Sequence, residues 1–234
     1  MNNIFYNFEE INEFSCCSFQ EWLSFVENTS PEAPNILWIT GIGSQGYGAK
    51  MLAIQGYNVK QVGTITNYYA AGIGRIKRYP ILQKLIGKTA DAAGKSHLIA
   101  NMQKHDMETQ NSNFVPDVII GASQGGAVAM QVARQYPHAK FVLIAPAWKI
   151  FNADPGDLPK DTIILQGKND LQVPATDSQT LSQKYGFKVL FYDQGHNLQT
   201  NIVKKAVDAQ LLNTRAAHLI PVPNKYGFNP KANQ

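Results

Sequence analysis

The stretch DVIIGASQGGAVAMQVAR, residues 117–134, carries the strongest fold signal in the chain. Residues 117–122 form an apolar run of strand length, and residues 124–134 are rich in small residues that let a helix pack closely on a sheet. The turn between them reads G-x-S-x-G, with Gly121 and Gly125 on either side of Ser123. A sharp strand-to-helix turn of this kind presents its serine as a nucleophile, and the glycines avoid collisions inside the turn.

Further apolar runs of strand length alternate with helical segments along the chain. This alternation predicts an α/β fold with a mostly parallel central sheet and helices on both faces. In such a sheet the functional groups collect at the carboxyl ends of the strands. The predicted strands are 36–39, 59–66, 117–122, 141–145, 162–166 and 188–192, and the predicted helices are 49–55, 81–87, 95–110, 124–134, 176–185 and 198–213.

The length of 234 residues and the 44% hydrophobic content fit one sizeable domain. We expect this domain to span residues 31–213, after an aromatic-rich, partly helical lead-in over residues 1–30. Residues 214–234 carry three prolines and are predicted to form an extended C-terminal tail. Residues 146–160 are too few for a large cap domain, so the site should be fairly open.

The formal net charge of +4 is too small to indicate a nucleic-acid partner. No acidic residue occurs between Glu32 and Asp91, although this interval contains many lysines and arginines. Such a basic run is usually a solvated face, and the alternative is a surface that attracts an anionic substrate or a lipid head group. The basic residues in question are Lys50, Lys60, Arg75, Lys77, Arg78, Lys84 and Lys88.

The two cysteines, Cys16 and Cys17, are adjacent, so the sequence offers no disulfide framework. The first residues lack the basic and apolar regions of a secretory signal peptide, and no window has 18 continuous apolar residues. We therefore expect a cytoplasmic protein without a transmembrane segment. Peripheral contact with a membrane and export without a cleaved signal remain open, as does the oligomeric state.

A serine hydroxyl needs a base that takes its proton, and in this type of fold the order is serine, then acid, then histidine. Asp170 follows the strand predicted at 162–166, and His196 follows the strand at 188–192. Both should emerge at the same edge as Ser123. Asp177 and Asp193 are the alternative acids, and we favour Asp170 because it follows a strand end directly. The other histidines fall in predicted helices or the tail, where structural roles are more common: His97, His105, His138 and His218.

An oxyanion hole should be formed by two backbone N–H groups. One belongs to the residue after the nucleophile, Gln124, and the other comes from the loop after the first strong strand, where Ile42 is the natural candidate. Substrate-binding candidates are aromatic residues in nearby loops, although plain packing explains them equally well. They are Trp148, Tyr68 and Tyr69.

Four segments resemble the α/β-hydrolase superfamily, and within it the phospholipase/carboxylesterase and acyl-protein thioesterase group. They are GASQGGAVA (121–129), LQGKNDLQVP (165–174), GH (195–196) and TGIGS (40–44). In the last segment Thr40 stands where that group usually has histidine in a His-Gly pair. The resemblance implies hydrolysis of a carboxylic ester or thioester through an acyl-enzyme, with no cofactor and no metal. It implies a small-molecule or lipid-like acyl ester as substrate.

Three other functions compete with this interpretation. The same scaffold could act on amides as a peptidase, or it could serve as a non-catalytic binding or effector module. Residues 41–46, GIGSQG, also match the G-x-G-x-x-G pattern of nucleotide-cofactor loops. That third function is remote, because the acidic residue expected about 20 positions later is missing.

Overall fold

The central feature of the protein is a six-stranded sheet. It is seen in a computed structural model that describes residues 33–44, 46–65, 72 and 79–219, with side chains described as far as residue 212. All of the pairings between neighbouring strands are parallel. The strands are β1 (Asn35–Ile39), β2 (Asn58–Val62), β3 (Val118–Ala122), β4 (Lys140–Ile144), β5 (Ile163–Gly167) and β6 (Lys188–Tyr192).

The strand order is β2-β1-β3-β4-β5-β6. The chain leaves β1 towards β2 on one side and returns to β3 on the other, so the order reverses between β1 and β3. Ligands of such sheets bind in the crevice at a reversal of this kind, outside the carboxyl ends of the strands. The loops that begin at Thr40 and at Ser123 border this crevice.

Helices cover both faces of the sheet, which confirms the predicted fold class. Strand residues alternate between the two faces: in β1, Ile36 and Trp38 join one core, while Leu37 and Ile39 join the other. Burial of a side chain of this size contributes about 1.5–3 kcal/mol. The helices are α1 (Tyr47–Ile54), α2 (Pro80–Thr109), α3 (Gln124–Val132), α4 (Trp148–Phe151), α5 (Ala175–Tyr185) and α6 (Thr200–Leu219).

The second strand is shorter than its sequence predicts. The β-branched run extends to residue 66, but β2 ends at Val62, because its partner β1 ends at Ile39. Beyond that point the backbone N–H of Thr64 donates to Thr40 Oγ1 (3.3 Å), and that of Ile65 donates to Asn101 Oδ1 (2.6 Å). Side chains from neighbouring elements thus replace the strand partner.

The helices predicted at 81–87 and 95–110 are one continuous helix, α2. Gly94, which falls between the two predicted segments, lies inside the helix where α4 approaches closely. A Cβ atom at this position would be 2.8 Å from the carbonyl oxygen of Ile150. This glycine therefore serves helix packing and does not end the helix.

The last helix is longer than predicted, since α6 continues past residue 213 to Leu219. Residues 214–219 contain neither glycine nor proline, and the first helix-breaking residue is Pro221. The lead-in over residues 1–30 and the tail beyond Leu219 lie outside the described residues. In the part of the chain that is described, no helix combines the length and the apolar character needed to cross a membrane.

Candidate active site

Ser123 lies in a sharp turn between β3 and α3, with φ 52° and ψ −113°. A positive φ is unfavourable for a residue with a side chain and persists only where the surrounding contacts hold it. The Ser123 N–H donates to the carbonyl oxygen of Ile144 (2.8 Å), and the Ser123 carbonyl oxygen accepts from the N–H groups of Gly126 (3.0 Å) and Ala147 (2.9 Å). The half-buried serine is thereby fixed between β3 and the end of β4.

Two glycines permit this turn because other atoms occupy the space of their missing side chains. A Cβ atom at Gly125 would lie 2.1 Å from the carbonyl oxygen of Ile39, and one at Gly121 would lie 2.8 Å from the Ala129 Cβ. Any larger residue at either position would force the elbow away from β1 or from α3. The glycines of the G-x-S-x-G sequence thus have the structural role that the motif predicts.

The Asp170 carboxylate lies at the end of β5 and is fully buried. Its Oδ2 atom is 2.7 Å from His196 Nδ1. Its Oδ1 atom accepts from the backbone N–H groups of Gln172 (2.7 Å) and Val173 (2.9 Å). Because both oxygens of the carboxylate accept hydrogen bonds, its orientation towards the histidine is fixed.

The loops that carry Asp170 and His196 lie directly against each other. The N–H of Lys168 donates to the carbonyl oxygen of Tyr192 (2.8 Å), and that of Asn169 donates to the carbonyl oxygen of Gln194 (3.0 Å). Because a carboxylate oxygen accepts, the His196 ring donates from Nδ1 to Asp170 Oδ2. Two backbone bonds therefore hold the acid and the histidine in register.

Burial alone would raise the pKa of the Asp170 carboxyl, but the hydrogen bond from His196 opposes this effect. The Val173 N–H, the charge on His196 and the Gln172 N–H add to the stabilisation of the carboxylate, so the pKa ends below its ordinary value. The carboxylate form is therefore the one that the folded protein favours.

This lowered pKa predicts a pH dependence of stability. A folded-state pKa below the unfolded value contributes stability that is present above pH about 4 and is lost as the pH falls through the folded-state pKa. Urea unfolding of the wild type and of Asp170→Asn, measured from pH 7 downwards, should show a steeper loss of unfolding free energy in the wild type below pH about 4. Parallel profiles for the two proteins would contradict this prediction.

The two alternative acids have other partners. Asp177 lies in the first turn of α5, where its carboxylate is 3.1 Å from Lys149 Nζ. Asp193 is 82% exposed and pairs with Lys168 Nζ at 2.8 Å. Of the three candidates, Asp170 is the one in hydrogen-bond contact with His196.

Ser123 follows β3 and His196 follows β6, so both lie at the carboxyl edge of the sheet, with β4 and β5 between their strands. Within the described ranges, no hydrogen bond joins the Ser123 hydroxyl to His196. Contacts between a nucleophile and its general base often tighten only when a substrate is bound. Asp170 and His196 are thus hydrogen-bonded to each other, whereas Ser123 is held by the backbone bonds of its own turn.

The loop after β1 approaches the nucleophile closely, as an oxyanion hole requires. A Cβ atom at Gly41 would lie 3.1 Å from the Cβ of Ser123. Ile42, the next residue, is half-buried, and Gln124 begins α3. In the described part of the chain, no protein acceptor is bonded to the backbone N–H of Ile42 or of Gln124. Both groups are thus available to a developing oxyanion.

The side chain of Gln124 belongs to a buried polar cluster that the sequence does not reveal. Its Nε2 atom lies 2.8 Å from His97 Nε2 and donates to the carbonyl oxygen of Ile65 (3.2 Å). Burial lowers the pKa of His97, although bonds with Gln124 and Ile65 act in the opposite direction. The neutral ring that burial favours can accept the amide proton. The sequence predicts only a general structural role for His97, because its position in a helix gives no sign of a contact with Gln124.

The substrate-binding candidates have a mixed outcome. The Trp148 indole N–H donates to the carbonyl oxygen of Asp177 (3.2 Å), and its ring packs edge-on against Tyr185 with centroids 6.1 Å apart. These contacts tie α4 to α5 and give the tryptophan a packing role, and its part in substrate binding stays a prediction. Tyr68 and Tyr69 lie outside the described residues.

Within the described ranges, no group of three or more histidine, cysteine, aspartate or glutamate side chains is placed to hold a metal ion. The glycine-rich loop at 41–46 has a packing role at both described ends. Gly41 lies against Ser123, and a Cβ atom at Gly46 would lie 1.8 Å from Gln61 Oε1.

Comparison with known proteins identifies the fold. Est1E from Butyrivibrio proteoclasticus is 17% identical over 81% of this chain and 91% of its own, with a TM-score of 0.53. A candidate lipase from Acinetobacter baumannii AYE is 13% identical over 92% of this chain and 99% of its own, with a TM-score of 0.50. No family model matches the chain, and no curated protein matches its sequence. The protein thus has the α/β-hydrolase fold.

Proposed function

We propose that the protein is a serine hydrolase that cleaves a carboxylic ester or thioester through an acyl-enzyme. Ser123 is the nucleophile, His196 the general base, and Asp170 the acid that orients the histidine. The observation that carries the proposal is the 2.7 Å bond between His196 Nδ1 and a buried carboxylate whose other oxygen is held by two backbone N–H groups. Such an acid is prepared to stabilise an imidazolium during catalysis.

In the first half of the reaction, the Ser123 oxygen attacks the carbonyl carbon while His196 Nε2 takes the hydroxyl proton. The carbonyl electrons move to its oxygen, which accepts hydrogen bonds from the N–H groups of Gln124 and Ile42. Each such donor is worth about 3 kcal/mol in the transition state. The tetrahedral intermediate then collapses, and His196 returns the proton to the departing alcohol or thiol.

In the second half, water replaces the alcohol or thiol. His196 removes a proton from the water as it attacks the acyl carbon, and a second tetrahedral intermediate forms at the same N–H groups. Its collapse breaks the bond to Ser123 and returns the proton to the serine oxygen. The products are a carboxylic acid and the regenerated enzyme, and no redox step is involved.

Two alternatives use the same fold. A peptidase or amidase would share the acyl-transfer groups and differ in the leaving group. A non-catalytic binding module would share only the scaffold. The hydrogen-bonded pair of His196 and Asp170 favours catalysis over binding, because a buried carboxylate held in one orientation beside a histidine is typical of a proton-transfer site.

A substrate series separates these functions. We expect the full chain to hydrolyse p-nitrophenyl esters and matched acyl thioesters, with kcat/KM varying over the acyl chain lengths, and to leave matched p-nitroanilides nearly intact. Preferential hydrolysis of the anilides would replace the esterase proposal with the amidase alternative. No turnover of any member of the series would favour the binding module.

A further inference from the structure

Helix α2 runs antiparallel to the strands, and two contacts establish its direction. In the middle of β2, Lys60 Nζ donates to the carbonyl oxygen of Glu108 near the end of the helix (3.0 Å). Beyond the carboxyl end of β2, the Ile65 N–H donates to Asn101 Oδ1, which lies earlier in the helix (2.6 Å). Moving back along α2 therefore leads towards the edge of the sheet where the candidate active site lies.

The first part of α2 projects beyond that edge. His97 is level with the nucleophile elbow, since its ring contacts the Gln124 amide at 2.8 Å. At 1.5 Å per residue, Pro80 lies about 25 Å further along the helix axis. We call residues 80–89 the α2 arm. Most of its residues are exposed, and the first fully buried side chain after them is Ala90.

Apolar side chains form a row along the outer face of α2. Ile81 is 76% exposed, Leu85 is 74% exposed, and Ile99 further along is 45% exposed. Exposed Ala92 continues the same row, because residues separated by four and by seven positions share a helix face. Leaving large aliphatic side chains this exposed to water is unfavourable, so their burial against an apolar phase would be stabilising.

A row of lysines runs beside the apolar row. Lys84, Lys88 and Lys95 follow Ile81, Leu85 and Ala92 by three positions each, so every lysine neighbours an apolar residue on the helix surface. Asp91 is the single acidic residue in the sequence from Pro80 to His105. Within the described ranges, neither Lys84 nor Lys88 forms an ion pair. The outer face of α2 is therefore amphipathic and carries a net positive charge.

We propose that the α2 arm docks the protein on an anionic lipid surface. The apolar row would enter the boundary between head groups and acyl chains, and the lysine stems would extend from it so that their ammonium groups meet lipid phosphates. Because the arm extends beyond the carboxyl edge of the sheet, docking through it would hold that edge, where Ser123 and His196 lie, near the lipid surface. The proposed docking depends only on the residues of the arm. That the lipid surface supplies an acyl substrate is a further inference, which rests on the proposed function.

Vesicle sedimentation of the full chain tests this docking surface. We expect binding to vesicles of phosphatidylcholine mixed with phosphatidylglycerol and much weaker binding to phosphatidylcholine alone. The double variant K84Q/K88Q should lower the partition coefficient about thirtyfold, from the usual contribution of a lysine near an anionic surface. I81S/L85S should also abolish most binding, with unchanged helical circular dichroism because both side chains are exposed.

The matched control is K184Q/K188Q, which removes two lysines at the same sequence spacing. Lys184 lies in the last turn of α5 and Lys188 begins β6, so both lie at the opposite edge of the sheet. This variant should bind vesicles as the wild type does. The proposal is overturned by equal binding to neutral and anionic vesicles, by no binding, by an equal loss in the control, or by a dimer that I81S/L85S dissociates.

Hydrolysis of a short water-soluble ester, measured on the same proteins, keeps the two proposals apart. The arm variants should hydrolyse it at the wild-type rate, because the arm lies outside the candidate site. If the wild type binds anionic vesicles through the arm but hydrolyses no ester, the proposed function is wrong and docking remains. If it hydrolyses the ester but binds no vesicles, docking is wrong and the proposed function remains.

Discussion

Replacement of Ser123 by alanine should lower kcat/KM for short p-nitrophenyl esters by at least about 10⁴-fold, or about 5 kcal/mol of transition-state stabilisation. In the proposed mechanism the Ser123 hydroxyl oxygen forms the bond to the acyl group, so no neighbouring group is expected to replace it. The fold should persist, because the bonds that fix the elbow are made by the Ser123 backbone. Initial rates measured beside urea unfolding curves test both expectations.

The control for this variant is Ser96→Ala, a serine-to-alanine change at an exposed position of α2. It should retain wild-type kcat/KM. We expect the free energy of unfolding of Ser123→Ala to stay within about 1 kcal/mol of wild type. Retained ester turnover in Ser123→Ala would remove this residue from the mechanism.

Replacement of Asp170 by asparagine has the second-largest expected effect, a fall in kcat of about 10³- to 10⁴-fold. The amide has nearly the shape of the carboxylate, but it carries no charge to stabilise the His196 imidazolium. An amide nitrogen facing Nδ1 would also favour the wrong tautomer of the ring. Ester turnover under substrate saturation measures this change directly.

Asp177→Asn provides the matched comparison, since it makes the same chemical change at an aspartate that pairs with Lys149. Its kcat should stay within a few-fold of wild type. If Asp177→Asn lost more activity than Asp170→Asn, the acid would have to be reassigned to α5.

The sequence predicts the sheet well because buried parallel strands leave a clear signal. The runs at 141–145 and 188–192 are apolar with few interruptions, and their strands appear within one residue of the predicted positions. The strand predicted at 59–66 fails at its end, because strand length depends on the partner. The β-branched composition of residues 63–66 cannot reveal that β1 stops at Ile39.

The helix boundaries show which information is missing from local sequence. Gly94 weakens the helical signal of α2, yet it lies within the continuous helix, where the missing side chain lets α4 approach closely. The α6 helix extends to Leu219 since nothing before Pro221 stops it. Local sequence thus shows neither the close approach of α4 at Gly94 nor how far a helix continues when no breaking residue follows.

The candidate site could be predicted to the extent that it follows strand ends. Ser123, Asp170 and His196 each come directly after a strand, and parallel strands bring such residues to one edge. The Asp170–His196 contact can therefore be predicted from the sheet topology, because the two residues follow strands that end at the same edge. The cluster of Gln124, His97 and the Ile65 carbonyl could not be forecast, because it joins a helix, an elbow and a loop that no motif connects.

Labelling of the wild-type protein by a fluorophosphonate probe tests the central claim most directly, because this probe reacts with serines that a histidine base activates. Trypsin cleavage after Lys104 and Arg134 releases one peptide that contains Ser123. We predict a single stoichiometric adduct on Ser123 in this peptide, no adduct in Ser123→Ala, and slower labelling in Asp170→Asn. If wild-type protein that hydrolyses esters is labelled at another residue, or is not labelled at all, the account is contradicted.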